Sequence, residues 1–381
     1  MAKKMDIGID NVARKIKKAY IGVDSKARKI KKGYIGIGGV ARPFMSGGEL
    51  AYYGTIIGLS QSRCYIGATT VGDYALFGGG VPTFYETSVF SSTVDAYDKS
   101  FTRSNPTGLQ EAVSYTATTT NGNHALFAGG NRKSGVGNYK HASVYVTVYD
   151  SSLVRSSATN LTTNLSYMGA TAIGDYALFA GGTENNSSAK TTAIAYDKNL
   201  TQVIPTTLSS AMAKAKAATV GNHAIVVGGS VANAYDSSLT RTILSSLSTN
   251  KYSRGATTVG NHALFAGGTD SSNYISNAVH SFDESLTLTN IDPLTSSRHS
   301  VGATTVGDYA LFAGGQANVS NTGWINNVES YDINLVHAMQ TPLSEDKNNM
   351  GATTIGDYAL FGGGVGDRST LINSVDVYMI S

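Results

Sequence analysis

The sequence predicts an all-β protein built as a seven-bladed β-propeller, and three observations carry that reading. First, the stretch Val301–Gly315, VGATTVGDYALFAGG, recurs along most of the 381 residues. Its copies begin at Gly67, Ala117, Gly169, Ala217, Gly255, Gly302 and Gly351, and their glycine pairs end at Gly80, Gly130, Gly182, Gly229, Gly268, Gly315 and Gly364. Second, the steps between those pairs are 50, 52, 47, 39, 47 and 49 residues, the length of a propeller blade. Third, each of the first six copies holds four strand-like segments divided by turn residues, which is the content of one blade.

Residues 1–45 stand apart from the repeat by charge. They carry twelve Lys/Arg against three Asp, or +9, while the remainder carries seventeen against twenty-three, or −6, which together give the net +3. The segment has a repeat of its own, of 14 residues: Ala13–Gly22 (ARKIKKAYIG) is echoed by Ala27–Gly36 (ARKIKKGYIG) and, shortened, by Ala41–Phe44. Asp24-Ser25 and Gly38-Gly39 lie between copies as turn residues, so the segment is expected to be a small basic β-meander of two or three strands. So many lysines raise nucleic-acid or anionic-membrane binding. An isolated small meander needs a partner surface to be stable, however, which favours docking to another protein. The docking candidates are Arg14, Lys15, Tyr20, Arg28, Lys29, Tyr34, Arg42 and Phe44.

The wording KARKIKKGYIGIGGVARPF within Val12–Phe44 resembles a short module at the start or end of tail and tail-fibre-associated proteins of phages and prophages from Gram-positive bacteria. The resemblance implies a virion or tail-like particle, with residues 1–45 binding its other proteins.

Residues 46–381 form the propeller. In each copy a GATTVG-like strand meets a Gly-Asp or Gly-Asn turn of the type II′ kind, and a second strand follows to the glycine pair. A third strand ends in an aromatic-Asp pair, as in Tyr97-Asp98, and a fourth is expected to begin at Phe101, Leu153, Leu200, Leu239, Leu286 or Leu335. Small residues suit an innermost strand crowded against the axis. The last copy stops after its third strand, and Leu59–Arg63 aligns without gaps on Leu294–Arg298, which places Ile56 on Ile291. Ala51–Ile57 is therefore expected to be the outer strand of the seventh blade, beside Val375–Ile380, closing the ring and removing its open edges.

The Gly-Gly and spaced Tyr resemble the kelch repeat, from about Glu49 onward; the chain departs at the family's Trp position, where Leu or Phe stands, and its one tryptophan, Trp324, falls in a loop. The resemblance implies a kelch-like propeller.

Tight turns occupy one face, and the opposite face gathers the second-to-third loops and the blade-to-blade connections, where copies diverge. In the fourth copy that loop shrinks to Gly228-Gly229-Ser230-Val231. Loops on a rigid scaffold are the usual place for recognition. Phe84, Tyr85, Arg132, Lys133, Tyr139, Tyr274, Trp324, Asp367 and Arg368 are the binding candidates, aromatics beside polar groups that suit a sugar ring or a protein surface.

Other chemistry finds little support. His124, His223 and His262 take the position held elsewhere by Tyr74, Tyr176, Tyr309 and Tyr358, so they read as hairpin pieces spread around the ring rather than metal ligands. Adjacent carboxylates such as Asp283-Glu284 point to opposite faces of a strand. No cofactor is expected, and no Tyr/His set beside Cys64 fits a copper oxidase. One cysteine allows no internal disulfide, no apolar run is long enough to span a membrane, and MAKKMDIGID lacks the apolar core of a signal peptide. The expectation is a non-enzymatic structural or host-surface-binding component of a phage tail or tail-like particle, made in the host cytoplasm, that meets a cell-surface glycan or protein. The alternatives are a polysaccharide-acting propeller enzyme and a cytosolic adaptor.

Overall fold

The computed structural model describes residues 48–380 apart from 84–88, 134–139, 186–187, 250 and 319–321, together with the backbone of six strands within residues 6–45. Those six strands correct the expected meander. They pair as three antiparallel hairpins, Asp6–Ile9 with Val12–Lys15, Tyr20–Val23 with Lys26–Lys29, and Gly33–Ile37 with Val40–Met45. The 14-residue repeat thus encodes a complete hairpin that closes on itself, with Ile9, Val23 and Ile37 opposite Val12, Lys26 and Val40. The register sets Arg14 against Ile7, Lys15 against Asp6, Lys29 against Tyr20, Arg28 against Ile21, Arg42 against Ile35 and Tyr34 against Pro43, while Phe44 lies in the last strand. The side chains of these docking candidates lie outside the described residues.

Seven four-stranded antiparallel sheets form the propeller. Their innermost strands are Gly67–Val71, Ala117–Thr120, Gly169–Ile173, Lys216–Val220, Gly255–Val259, Gly302–Val306 and Gly351–Ile355. Pairing of Val220 with His223, equivalent to Val71 with Tyr74, moves the start of the fourth copy from Ala217 to Lys216. Glycine-first turns follow, with Gly72 and Gly174 both at φ +54. The ring closes where expected: Leu50–Ile56 pairs with Leu371–Ile380, and Ile56 lies opposite Val375 as Ile291 lies opposite Val279.

The outer strands begin two residues later than expected, at Arg103, Arg155, Gln202, Arg241, Leu288 and His337. The reason is local. Phe101, Leu153, Leu200, Leu239, Leu286 and Leu335 sit at φ between 60 and 64, a left-handed backbone that no strand can continue. The preceding aspartate holds each turn: Asp150 Oδ1 accepts from the amides of Ser152 (2.8 Å) and Val154 (2.9 Å), and Asp98, Asp197, Asp236, Asp283 and Asp332 do likewise. The strained residue is compensated by packing, since each of these Leu or Phe side chains lies against a core cluster.

The core is divided among the blade interfaces. Between the second and third blades, for instance, Leu126, Val148 and Leu165 meet Phe179, Ile194 and Tyr196. The third-strand tyrosine anchors most interfaces by donating its hydroxyl to a carbonyl in the connection leaving the previous blade. Tyr149 reaches Thr107 (2.6 Å), Tyr196 reaches Thr159 (2.7 Å) and Tyr235 reaches Thr206 (2.8 Å). Burial raises all three hydroxyls above the usual tyrosine range, Tyr196 and Tyr235 to about 12. At the axis, threonine hydroxyls join neighbouring innermost strands that share no backbone ladder: Thr70 donates to Thr354 O (2.6 Å), Thr354 to Thr305 O (2.5 Å) and Thr258 to Thr219 O (2.5 Å). The glycine pair is steric. A Cβ on Gly79 would lie 2.5 Å from Val113 O, the carbonyl that Gly80 N–H itself uses at 2.7 Å.

One repeat position shows two solutions to the same burial problem. Four residues before each innermost strand stand Arg63, Val113, Leu165, Met212, Lys251, Arg298 and Lys347, and the third strands carry Asp95, Thr147, Ile194, Asn233, His280, Glu329 and Asp376 at one matching site. Where the first is Arg or Lys and the second is acidic, a fully buried ion pair forms: Arg63–Asp95 (2.5 Å), Arg298–Glu329 (2.7 Å) and Lys347–Asp376 (2.6 Å). Where the first is Leu165, the second is Ile194 and the site is apolar.

Breaking one partner of a buried pair leaves an uncompensated charge, at about 3–5 kcal/mol. Arg63→Leu alone should cost that much in chemical denaturation, and Arg63→Leu with Asp95→Ile, the pairing already used by the third blade, should recover most of it. If the double variant is no more stable than the single, the equivalence is wrong.

His280 gives a pH test at the same position. Burial, and then the Arg254 guanidinium, push its imidazole down to about 4. The unfolded chain therefore takes up the proton first, and stability contributed by neutral His280 is lost as pH falls from about 6.5 towards about 4. Replacing His280 by Asn, the residue of the fourth blade, should flatten that part of the stability–pH curve; an unchanged slope would contradict the assignment.

Candidate functional site

Each blade enters its innermost strand through a residue two positions upstream: Tyr65, Tyr115, Tyr167, Lys214, Ser253, Ser300 and Asn349. All seven have a left-handed backbone, with φ between 49 and 57. That is uncommon for aromatic residues and costs on the order of 1 kcal/mol apiece, so the surroundings must impose it. A chain of backbone hydrogen bonds does so: Tyr65 N–H donates to Asn349 O (2.9 Å), Tyr115 to Tyr65 O (3.1 Å), Tyr167 to Tyr115 O (3.4 Å), Ser300 to Ser253 O (3.0 Å) and Asn349 to Ser300 O (3.3 Å). Polar and apolar residues share the conformation, so the backbone belongs to the scaffold and the side chain is the variable.

Those side chains rim the axial mouth. The cavity below has a volume of about 430 Å³ and lies on the face of the diverging loops. Three successive blades give it an aromatic arc, with the Tyr65 and Tyr115 rings stacked at 4.3 Å and the Tyr115 and Tyr167 rings tilted against each other at 4.2 Å. Lys214 Nζ continues the arc, 6.0 Å from the centre of the Tyr167 ring. The facing wall is polar: Asn273, His299, Ser300, Gln316 and Asn349. His299 bonds Ser300 Oγ (2.9 Å) and Asn318 O (3.3 Å), and burial lowers its pKa, so it serves the wall as a neutral ring at pH 7. Arg254 lies behind, with Nη1 donating to Gly229 O (2.7 Å) and Lys251 O (2.5 Å). Below the mouth the channel narrows between the first residues of the innermost strands, then opens on the far face among threonines.

This arrangement gathers aromatic rings, amides and cations around one axis. Among the described residues no Asp or Glu lines the mouth, and no group of three or more His, Cys, Asp or Glu is placed to hold a metal ion.

The residues expected from the sequence lie elsewhere on this face. Tyr274 is 72% exposed on a turn held by Asp270, whose carboxylate bonds Lys251 at 2.7 Å. Arg132 faces Glu111 at 3.6 Å, beside the exposed Lys133, on the ribbon Asn131–Lys133 and Lys140–Ala142. Asp367 and Arg368 are exposed on a short helical turn. Trp324 faces inward at 7% exposure, bridging Gln316, so it packs its loop instead of presenting a ring to a ligand. Phe84, Tyr85 and Tyr139 lie outside the described residues. None of the described candidates reaches the axial cavity. Aligning the copies one residue pair further upstream exposes the rim, because Tyr, Lys, Ser and Asn alternate there beside an otherwise constant stretch.

No family model matches the chain, and no curated protein matches it. Among solved structures, the structure of YjhT is similar with a TM-score of 0.57 at 10% sequence identity, over 84% of this chain and 96% of that one. At that identity the likeness shows the propeller fold alone.

Proposed function

We propose that the chain is a non-enzymatic saccharide-binding propeller, which meets a host cell-surface glycan at its axial mouth and is held on a phage tail or tail-like particle by residues 1–45. The observation that carries the binding half is the Tyr65–Tyr115–Tyr167 arc, opposite a wall of amides and hydroxyls. Sugar rings present apolar faces that stack on aromatics and hydroxyl edges that need hydrogen-bond partners, and a mouth with both kinds of wall meets both needs. The particle half rests on the resemblance of Val12–Phe44 to tail-associated modules. A kelch-like reading of the blades is compatible with this role, because recognition uses the loop face and leaves the repeat as support.

The full chain on an immobilised glycan array tests the binding half. The wild type should retain a defined saccharide class, Tyr115→Ala should weaken it by about ten-fold or more, and Tyr115→Phe should preserve it, since the central ring holds Tyr65 and Tyr167 in the arc. An array that retains nothing, or equal retention by Tyr115→Ala, would sink the reading. Turnover of a retained saccharide would move it to a polysaccharide-acting enzyme.

A further inference from the structure

At the throat of the channel, the first residue of the innermost strand is Gly67, Ala117, Gly169, Gly255, Gly302 or Gly351 in six blades. Crowding explains the choice: a Cβ on Gly67 would lie 2.6 Å from Thr118 Cγ2, and one on Gly351 would lie 2.8 Å from Phe77 Cδ1. The fourth blade places Lys216 there, lining both the mouth and the throat. A lysine is the least expected occupant of a ring of small residues. Its side chain is exposed to solvent within the channel, and the protein gathered around it holds its ammonium below the usual lysine range. Among the described residues no carboxylate or carbonyl pairs with Lys216 Nζ. The mouth adds Lys214 and Arg254 and no carboxylate, within a domain that is acidic overall.

Cations gathered around one concave mouth without a carboxylate among them focus a positive field there and attract an anion. We propose that Lys216 makes the floor of the axial mouth an oxyanion site, so that the saccharide bound there carries a carboxylate, sulfate or phosphate group directed down the axis. The identity of the ligand as a saccharide rests on the function proposed above; the anion site rests on Lys216 itself. The tyrosine arc would stack the ring while the lysine reads its charge, and Lys214 at the rim would draw the anion in.

The test uses Lys216→Ala in the full chain, a substitution that gives the fourth blade the residue of the second and so keeps the fold; its thermal midpoint is checked first. Calorimetric titration with sodium sulfate should show saturable uptake by the wild type and a loss of about ten-fold or more in the variant. On the glycan array, uronate, sulfated and phosphorylated saccharides should be retained, with uronate methyl esters as the neutral control; Lys216→Ala should lose the anionic ones, and the three anionic arms identify which oxyanion is preferred. No sulfate uptake by the wild type, equal uptake by the variant, or retention of neutral saccharides alone would overturn the anion site. An array that retains nothing, alongside lysine-dependent sulfate uptake, would overturn the saccharide reading and leave the anion site standing.

Discussion

The structure depends on one strand pairing across the length of the chain. Leu50–Ile56 completes the last blade, and Tyr52 Oη donates to Asp376 at 2.7 Å across 324 residues of sequence. Closing a loop of that length costs on the order of 5 kcal/mol in chain entropy. The return is large because closure creates an interface as well as a ladder. Ile56 and Leu59 bring the seventh blade's Leu360, Val375 and Val377 against Phe77 and Tyr97 of the first. In an open ring those two blades would each expose one apolar face and an unpaired edge. Every other interface joins neighbours in sequence; this one makes them a ring, and only a ring has an axial mouth.

The seven copies act as a set of internal experiments. Positions that never vary, such as the glycine pair, are places where backbone approaches backbone. Positions that vary together reveal packing, as where Arg63 with Asp95 in one blade becomes Leu165 with Ile194 in another. Tyrosine at the end of the third strand becomes Phe282 in the fifth blade, which keeps the ring packing and gives up the bond to the previous blade. Positions that vary around one shared cavity are candidates for function, and the rim of the mouth is the clearest case.

Much of this was legible in the sequence because propeller physics is periodic. The blade length, the glycine-first turns, the short fourth loop and the closing strand follow from residue spacing, and the alignment of Ile56 on Ile291 gave even the register. What was not legible depended on strain or on convergence. Leu153 and its equivalents look like the start of a strand, yet an aspartate two to four residues upstream of the amides it caps holds them left-handed in the turn. The leader reads as a meander of two or three strands, and its repeat unit proves to be a whole hairpin. Lys216 broke the small-residue pattern, so the fourth copy seemed to begin at Ala217, and the anomaly was hidden by the alignment that should have displayed it. The aromatic arc was invisible because Tyr65, Tyr115 and Tyr167 are about fifty residues apart and meet only around the axis.

Convergence also favours the axis for the binding proposed on this scaffold. Residues on the outer loops, such as Tyr274 and Arg368, belong to different blades and diverge from the axis, so a small ligand could meet few of them at once. The rim residues lie where seven blades come together, and backbone hydrogen bonds link six of them, Ser253 through Ser300, Asn349, Tyr65 and Tyr115 to Tyr167, from one blade to the next. A ligand there touches side chains whose positions are set by the whole fold and owes little to loop ordering, which is the condition under which a few contacts suffice. The same geometry explains why the throat is made of glycine and alanine, and why one lysine among them changes the chemistry of the entire mouth. In a channel shared by seven blades, a charge on one innermost strand lies near all the others, and here Lys214 and Arg254 add to it at the mouth.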